Sequence, residues 1–222
     1  SILLPLEIIS YDLSSDLGFA SGAGSISDAN DNLVIMDRLG QIFFFNGTKV
    51  RKTNLQVQNN IKNYLLSYSG RNIELSKEAM RAHSVAFDKS TSTIFVCYTK
   101  FERKNMSNIS VDKISVDNKF NPIGKWENVF RTESFQDIAH LSQGAGGAMH
   151  LSGNSLFVTL GNVKQYSENN RLYISSDDLT SYSGKVIKID VTEKNTEILS
   201  RGHRNSQGIV LTHDKNLIAT EH

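Results

Sequence analysis

Four segments of this chain share one pattern and recur at a nearly constant interval. Each has a small or glycine-rich turn, a short apolar run, a polar turn and a second apolar run. The segments are residues 22–37, 82–98, 146–161 and 207–221. Their second apolar runs align on Leu33, Ile94, Leu156 and Leu217. The steps between these positions are 61, 62 and 61 residues, which indicates one structural unit repeated along the chain.

The repeated unit is built from short strands. Apolar residues come in brief runs bounded by Asn, Asp, Ser and Gly, a pattern that predicts strands and turns. Further strands are expected within 41–47, 108–117 and 185–191, so each unit holds about four antiparallel strands. Such units, repeated radially, are the blades of a β-propeller. Because blades usually repeat at roughly 40–50 residues, these units are expected to carry long loops. The best helix candidate spans 59–82, with an interruption at Ser69-Gly70.

Composition narrows the function classes. The net charge of +1 over 222 residues gives no field that would favour nucleic acid or an anionic membrane. No apolar stretch approaches the roughly 20 residues of a membrane-spanning helix. The single cysteine, Cys97, excludes an intrachain disulfide. Its apolar neighbours at 94–98 predict a buried strand position.

The repeat also makes a prediction about completeness. The fourth unit begins near Arg204 and contains two strands, so about three and a half blades are expected. Propellers typically hold about 4–8 blades, and a partial ring would leave unpaired edges. We therefore expect residues 1–222 to form a single partial propeller domain, with repeats starting near 22, 82, 146 and 207. A longer protein or another chain would complete the ring.

Two motifs near the end of the chain resemble a known family. GHRNSQG at 202–208 resembles G-x-R-N-P-Q-G, and IATEH at 218–222 resembles the start of E-H-G-P. Both are motifs of the soluble aldose sugar dehydrogenases that depend on pyrroloquinoline quinone (PQQ), the glucose/sorbosone dehydrogenase family. Weaker similarities follow in the family's order at 33–45, 84–99, 128–135 and 181–190. The resemblance implies a six-bladed propeller in the periplasm or secreted, which oxidises aldoses at C1 by hydride transfer to the quinone.

The resemblance also implies cofactor contacts. Arg204 and Asn205 match the pair that contacts PQQ, and Gln207 lies in the same turn, where it is expected mainly to brace. A guanidinium suits planar carboxylates, and a carboxamide can donate to a carbonyl oxygen. In the family, the Gly-Pro after E-H supplies carbonyl ligands to Ca²⁺. The calcium ligands are therefore expected just beyond His222.

The position of the catalytic base is ambiguous. The family places a histidine two residues before a Gly-Gly pair, and here Gly144 stands at that distance from Gly146-Gly147. Glycine cannot act as a base. His140 lies at nearly the expected distance after Phe130-Arg131, and an insertion before the glycines would leave His140 as the base. Two functions stay open: a sugar dehydrogenase, or a non-catalytic propeller that binds a glycan or a protein partner.

The remaining polar candidates have ordinary structural interpretations. Histidines of propeller loops are most often structural or solvated, and paired acidic residues usually form a solvated turn. His203 is expected beneath the Arg204 loop, while Glu221 either braces the site or simply ends a strand. The other residues considered are His83, His150, His213, Asp177 and Asp178.

Overall fold

The computed structural model describes residues 24–29, 31–67, 81–103, 106–136, 145–162 and 177–221. These residues form four antiparallel sheets. The first sheet contains β1 (Ser25–Asp28), β2 (Leu33–Met36), β3 (Gln41–Phe45) and β4 (Val50–Gln56). The second contains β5 (Ala82–Asp88), β6 (Thr93–Arg103), β7 (Met106–Val116) and β8 (Pro122–Arg131), with β9 (Phe135–Gln136) paired to β7. The third contains β10 (Gly146–Ser152), β11 (Ser155–Leu160), β12 (Lys185–Asp190) and β13 (Thr196–Arg201). The fourth contains β14 (Ser206–Leu211) and β15 (Leu217–Glu221).

Within each sheet, strands that follow one another in the chain are hydrogen-bonded neighbours, except that β9 pairs with β7 and not with β8. The four segments of the sequence repeat form the hairpins β1–β2, β5–β6, β10–β11 and β14–β15. The runs within 41–47, 108–117 and 185–191 supply the third strands β3, β7 and β12. The predicted hairpins and the all-β class are therefore confirmed.

The core lies between neighbouring sheets, and β6 shows why. Ile94, Val96 and Tyr98 are buried in a cluster shared with the first sheet. Phe95 and Cys97 are buried in a second cluster shared with the third sheet. Side chains alternate between the two faces of a strand, so a strand covered on both faces reads as a continuous apolar run. The predicted burial of Cys97 is confirmed.

The first strand of each sheet joins it to the next sheet. Strand β1 contacts β5, β5 contacts β10, and β10 contacts β14. Ser25 Oγ and Ser27 Oγ accept hydrogen bonds from the backbone N–H groups of Val85 and Phe87, each at 3.0 Å. The first strands therefore lie side by side in chain order, with the other strands of each sheet outside them. This arrangement is typical of propeller blades.

The helix prediction over 59–82 is correct only in its first part. Helix α1 spans Ile61–Ser67, and Asn59 Oδ1 accepts a hydrogen bond from the Ile61 N–H at 3.2 Å. Residues 68–80 lie outside the described residues, and Ala82 already begins β5. Extending the helix to 82 was wrong because the alternating residues from Ala82 pair with β6. In the described part of the chain, no helix is long and apolar enough to span a bilayer.

Candidate functional site

A cavity of about 380 Å³, which we call the axial cavity, lies where the first strands of the four sheets meet. Its wall combines residues of β1, β5, β10 and β14 with residues that directly precede these strands. The volume falls within the roughly 300–1,000 Å³ of small-molecule sites. The cavity therefore draws its lining from all four repeats of the sequence.

The polar side chains of the described cavity lining are mostly nitrogen-bearing. Arg81, His83, Asn205 and Gln207 all border the cavity. Among the described residues of the lining there is no Asp or Glu, so Arg81 carries the one permanent charge there. A concave wall with a single sign of charge attracts ligands of the opposite sign.

Glu221, at the end of β15, organises the turn that leads into β14. Its Oε1 accepts hydrogen bonds from the backbone N–H groups of Arg204 at 2.8 Å and Asn205 at 2.6 Å. Its Oε2 accepts from Ser206 Oγ at 2.5 Å and lies 3.1 Å from His203 Nδ1. The bracing role considered for Glu221 is therefore confirmed, and His203 lies against the same carboxylate.

These contacts change the pKa of Glu221. Partial burial alone raises the pKa of this carboxyl, but the hydrogen bonds from Ser206, Asn205, His203 and Arg204 outweigh burial and lower the pKa from 4.5 to about 2. Hydrogen bonds to the ionised form favour that form. The carboxylate therefore stays ionised throughout the range in which most carboxyl groups protonate.

The lowered pKa predicts a pH dependence of stability. A carboxyl with a depressed folded-state pKa stabilises the fold above its unfolded pKa, and this contribution disappears as pH falls. For Glu221 the loss should occur between about pH 4.5 and pH 2. Glu221→Gln cannot titrate, so the free energy of unfolding, measured by urea denaturation, should fall less steeply in this variant. Equal slopes for the two proteins would contradict the role of Glu221, because all other carboxyl groups are common to both.

The residues expected to bind the cofactor occupy different places. Asn205 is buried and lines the cavity, and its Oδ1 accepts a hydrogen bond from the Gly146 N–H at 3.2 Å. Gln207 is exposed and also lines the cavity. Arg204 is exposed and is not part of the cavity lining. Its carbonyl accepts a hydrogen bond from Asn162 N–H at 2.8 Å. His140 and His222 lie outside the described residues.

His83 was expected to be structural, yet it borders the cavity. Its Nε2 lies 2.9 Å from Thr99 Oγ1. Burial, followed by the positive charge of Arg81, lowers the pKa of His83 from 6.5 to about 3, so its imidazole is neutral. Arg81 directly precedes β5 and His83 is its second residue, at a register shift between Ala82 and Ser84. This polar pair at the start of a first strand was the signal that sequence reasoning missed.

The other candidates lie away from the cavity lining. The ring of His150 lies 6.5 Å from that of Phe157, and His213 is fully exposed. Asp178 accepts hydrogen bonds from Thr180 N–H at 2.8 Å and Thr180 Oγ1 at 2.7 Å. Asp177 lies 3.8 Å from Arg201 Nε. Across the described ranges, no group of three His, Cys, Asp or Glu comes together that would hold a metal ion.

Several solved structures that share this fold are described as dehydrogenases. The soluble aldose sugar dehydrogenase of Escherichia coli matches with a TM-score of 0.62 at 16% identity, covering 89% of this chain and 56% of that one. A structure described as glucose dehydrogenase gives 0.68 at 14%, covering 89% and 57%. An oxidoreductase of Thermus thermophilus, described as a glucose dehydrogenase, gives 0.63 at 16%, covering 89% and 57%.

Identities this low establish the fold alone, and the chain spans somewhat more than half the length of these relatives. None of the curated proteins compared with the chain matches it. A family model described as Glucose / Sorbosone dehydrogenase matches residues 27–222. That range includes every strand from the middle of β1 to β15. The resemblance read from the GHRNSQG motif is thereby confirmed, and the chain belongs to the glucose/sorbosone dehydrogenase family.

Proposed function

We propose that this chain forms part of a PQQ-dependent dehydrogenase that oxidises aldose sugars at C1, in the periplasm or secreted from the cell. We further propose one propeller domain of the six-bladed type over residues 1–222, with repeats starting near 22, 82, 146 and 207. One observation carries the proposal. In a member of this family, the turn that resembles the cofactor motif borders the axial cavity through Asn205 and Gln207.

The cavity suits the proposed cofactor in its charge and its hydrogen-bond donors. PQQ carries three carboxylates and adjacent quinone oxygens, and when bound it supplies the hydride acceptor. Arg81 provides a positive charge, and the described lining contains no carboxylate that would repel the ligand. The family motif assigns PQQ contacts to Arg204 and Asn205, with Gln207 expected mainly to brace their turn, and a guanidinium with a carboxamide is a donor set that suits such a ligand. The residues present therefore fit the group.

The protein's own residues would position the substrate and move one proton. Glu221 fixes the turn that carries Asn205, because it accepts both consecutive backbone N–H groups of Arg204 and Asn205. We assign the general base to His140, which takes the proton of the C1 hydroxyl. His83 is unsuited to this step, because a pKa of about 3 makes its imidazole a weak base near neutral pH. We expect Ca²⁺ to bind through carbonyl groups just beyond His222.

Reconstitution tests this function. The full-length protein of which this chain is proposed to form part is purified and loaded with PQQ and Ca²⁺, and reduction of a redox dye is followed with glucose, galactose and other aldoses, with the matching alditols as controls. We expect reduction that requires both PQQ and an aldose, because an alditol has no C1 hemiacetal hydroxyl. Lack of aldose-dependent reduction in PQQ-loaded protein would overturn the proposal. Sugar binding without any reduction would instead favour a non-catalytic, glycan-binding propeller.

A further inference from the structure

The backbone of Arg81, a residue of the axial-cavity lining, is held by hydrogen bonds on both sides. Its carbonyl accepts a hydrogen bond from Thr99 N–H at 2.8 Å. The next residue, Ala82, donates its N–H to the Arg38 carbonyl at 2.8 Å. The Arg81 backbone is thus held between β6 and the loop after β2, and the residue lines the cavity. A side chain whose backbone is held at the start of a strand is better positioned for a ligand than one on a free loop.

The positive charge of Arg81 acts on His83, another residue of the cavity lining. It is one of the two causes that lower the pKa of His83, after burial. His83 is consequently neutral and adds no second cation. The described lining residues include no Asp or Glu, so this part of the wall carries a positive charge, which favours an anionic ligand.

The neighbouring polar groups favour a carboxylate among anions. Asn205 is held by the hydrogen bond from Gly146 N–H to its Oδ1, which orients its carboxamide at the cavity. Gln207 brings a second carboxamide to the same lining. A guanidinium fork flanked by amide donors matches a planar carboxylate, and such charge-assisted bonds are about twice as strong as neutral ones.

We propose that Arg81, with Asn205 and Gln207 beside it, forms a carboxylate-binding site in the axial cavity. The carboxylate can come from the cofactor or from an acidic sugar such as a uronic acid. The role of Arg81 goes beyond the proposed function, which draws its cofactor contacts from the 204–207 turn. It stands on the charge and geometry of the cavity and does not require that the chain be an oxidoreductase.

Calorimetric titration of Arg81→Met against three probes tests the site. The probes are PQQ, galacturonate, and galactose, a neutral sugar with the ring stereochemistry of galacturonate. Loss of a charge-assisted contact should weaken binding of the responsible carboxylate about 10- to 100-fold, and galactose binding should not change. Lys125→Met is the matched control, because Lys125 is an exposed cation on the outer strand β8. This control should bind all probes like the wild type.

The pattern of loss identifies the source of the carboxylate. Weakened PQQ binding alone assigns Arg81 to the cofactor, and weakened galacturonate binding assigns it to an acidic sugar. Arg81→Lys keeps the charge but loses the fork, so it should bind with intermediate affinity, and it serves if Arg81→Met does not fold. Unchanged affinities in both variants would overturn the site, as would a wild type that binds neither carboxylate probe. Galacturonate binding without any dye reduction would contradict the dehydrogenase proposal but would support the carboxylate-binding site at Arg81.

Discussion

Gly147→Ala should cost about 2–5 kcal/mol of unfolding free energy, because the position tolerates no side chain. Gly147 has a φ of +90°, a left-handed conformation that L residues adopt at a cost. A Cβ there would lie 2.5 Å from both Cβ and Cγ of His83. Overpacking of this kind typically costs about 1–3 kcal/mol, and backbone strain adds about 1–2 kcal/mol. Urea denaturation measures the difference.

The chain provides a matched control for this substitution. Gly153 also has a positive φ, +56°, but a Cβ at that position would meet nothing within 4 Å. Gly153→Ala should therefore show the backbone strain alone. If the two variants lost equal stability, the close contact between β10 and β5 at His83 would be wrong. The comparison also tests the cavity wall, since Gly147 and His83 meet beside its lining.

His140→Ala should lower kcat about 10²- to 10⁴-fold in the PQQ-loaded protein, the usual contribution of a general base. In the proposed reaction His140 takes the proton from the sugar C1 hydroxyl, and the variant has no group to accept it. Steady-state dye reduction gives kcat, and a separate PQQ titration should show unchanged cofactor affinity. This split separates a role in proton transfer from a role in cofactor binding.

His213→Ala is the control for the loss of an imidazole. Its side chain is fully exposed in the turn between β14 and β15, so neither kcat nor PQQ affinity should change. Full activity in His140→Ala would show that another group accepts the proton. Loss of PQQ binding in the same variant would point to a structural role for His140.

The strands could be predicted from the sequence because their signals are local. The continuous apolar run in β6 predicts that the strand is buried. The polar turns before Leu33 and Leu217 predict where the hairpins close. The C-terminal end of α1 could not be predicted correctly from the sequence. The alternation that assigns Ala82 to β5 competes with the helical pattern before it, and pairing with β6 decides the outcome.

The cavity lining could be predicted only in part. Asn205 and Gln207 were found because they belong to a motif that resembles the family's cofactor turn. Arg81 and His83 belong to no such motif, and their importance depends on which first strands meet across the cavity. Glu221 acts through hydrogen bonds to a turn 15 to 18 residues earlier in the chain, a pairing that follows from the β14–β15 hairpin.

The meander order of the strands has a consequence for folding and ligand response. Each sheet forms from a contiguous stretch of chain, so its pairings have low contact order and can form early. Contacts between first strands join positions about a full repeat apart and depend on a few hydrogen bonds, such as that from Val85 N–H to Ser25 Oγ, 60 residues apart. A ligand bound in the axial cavity would contact residues of several sheets at once. Its binding energy would add to the stability of these joints, and amide exchange would slow there first.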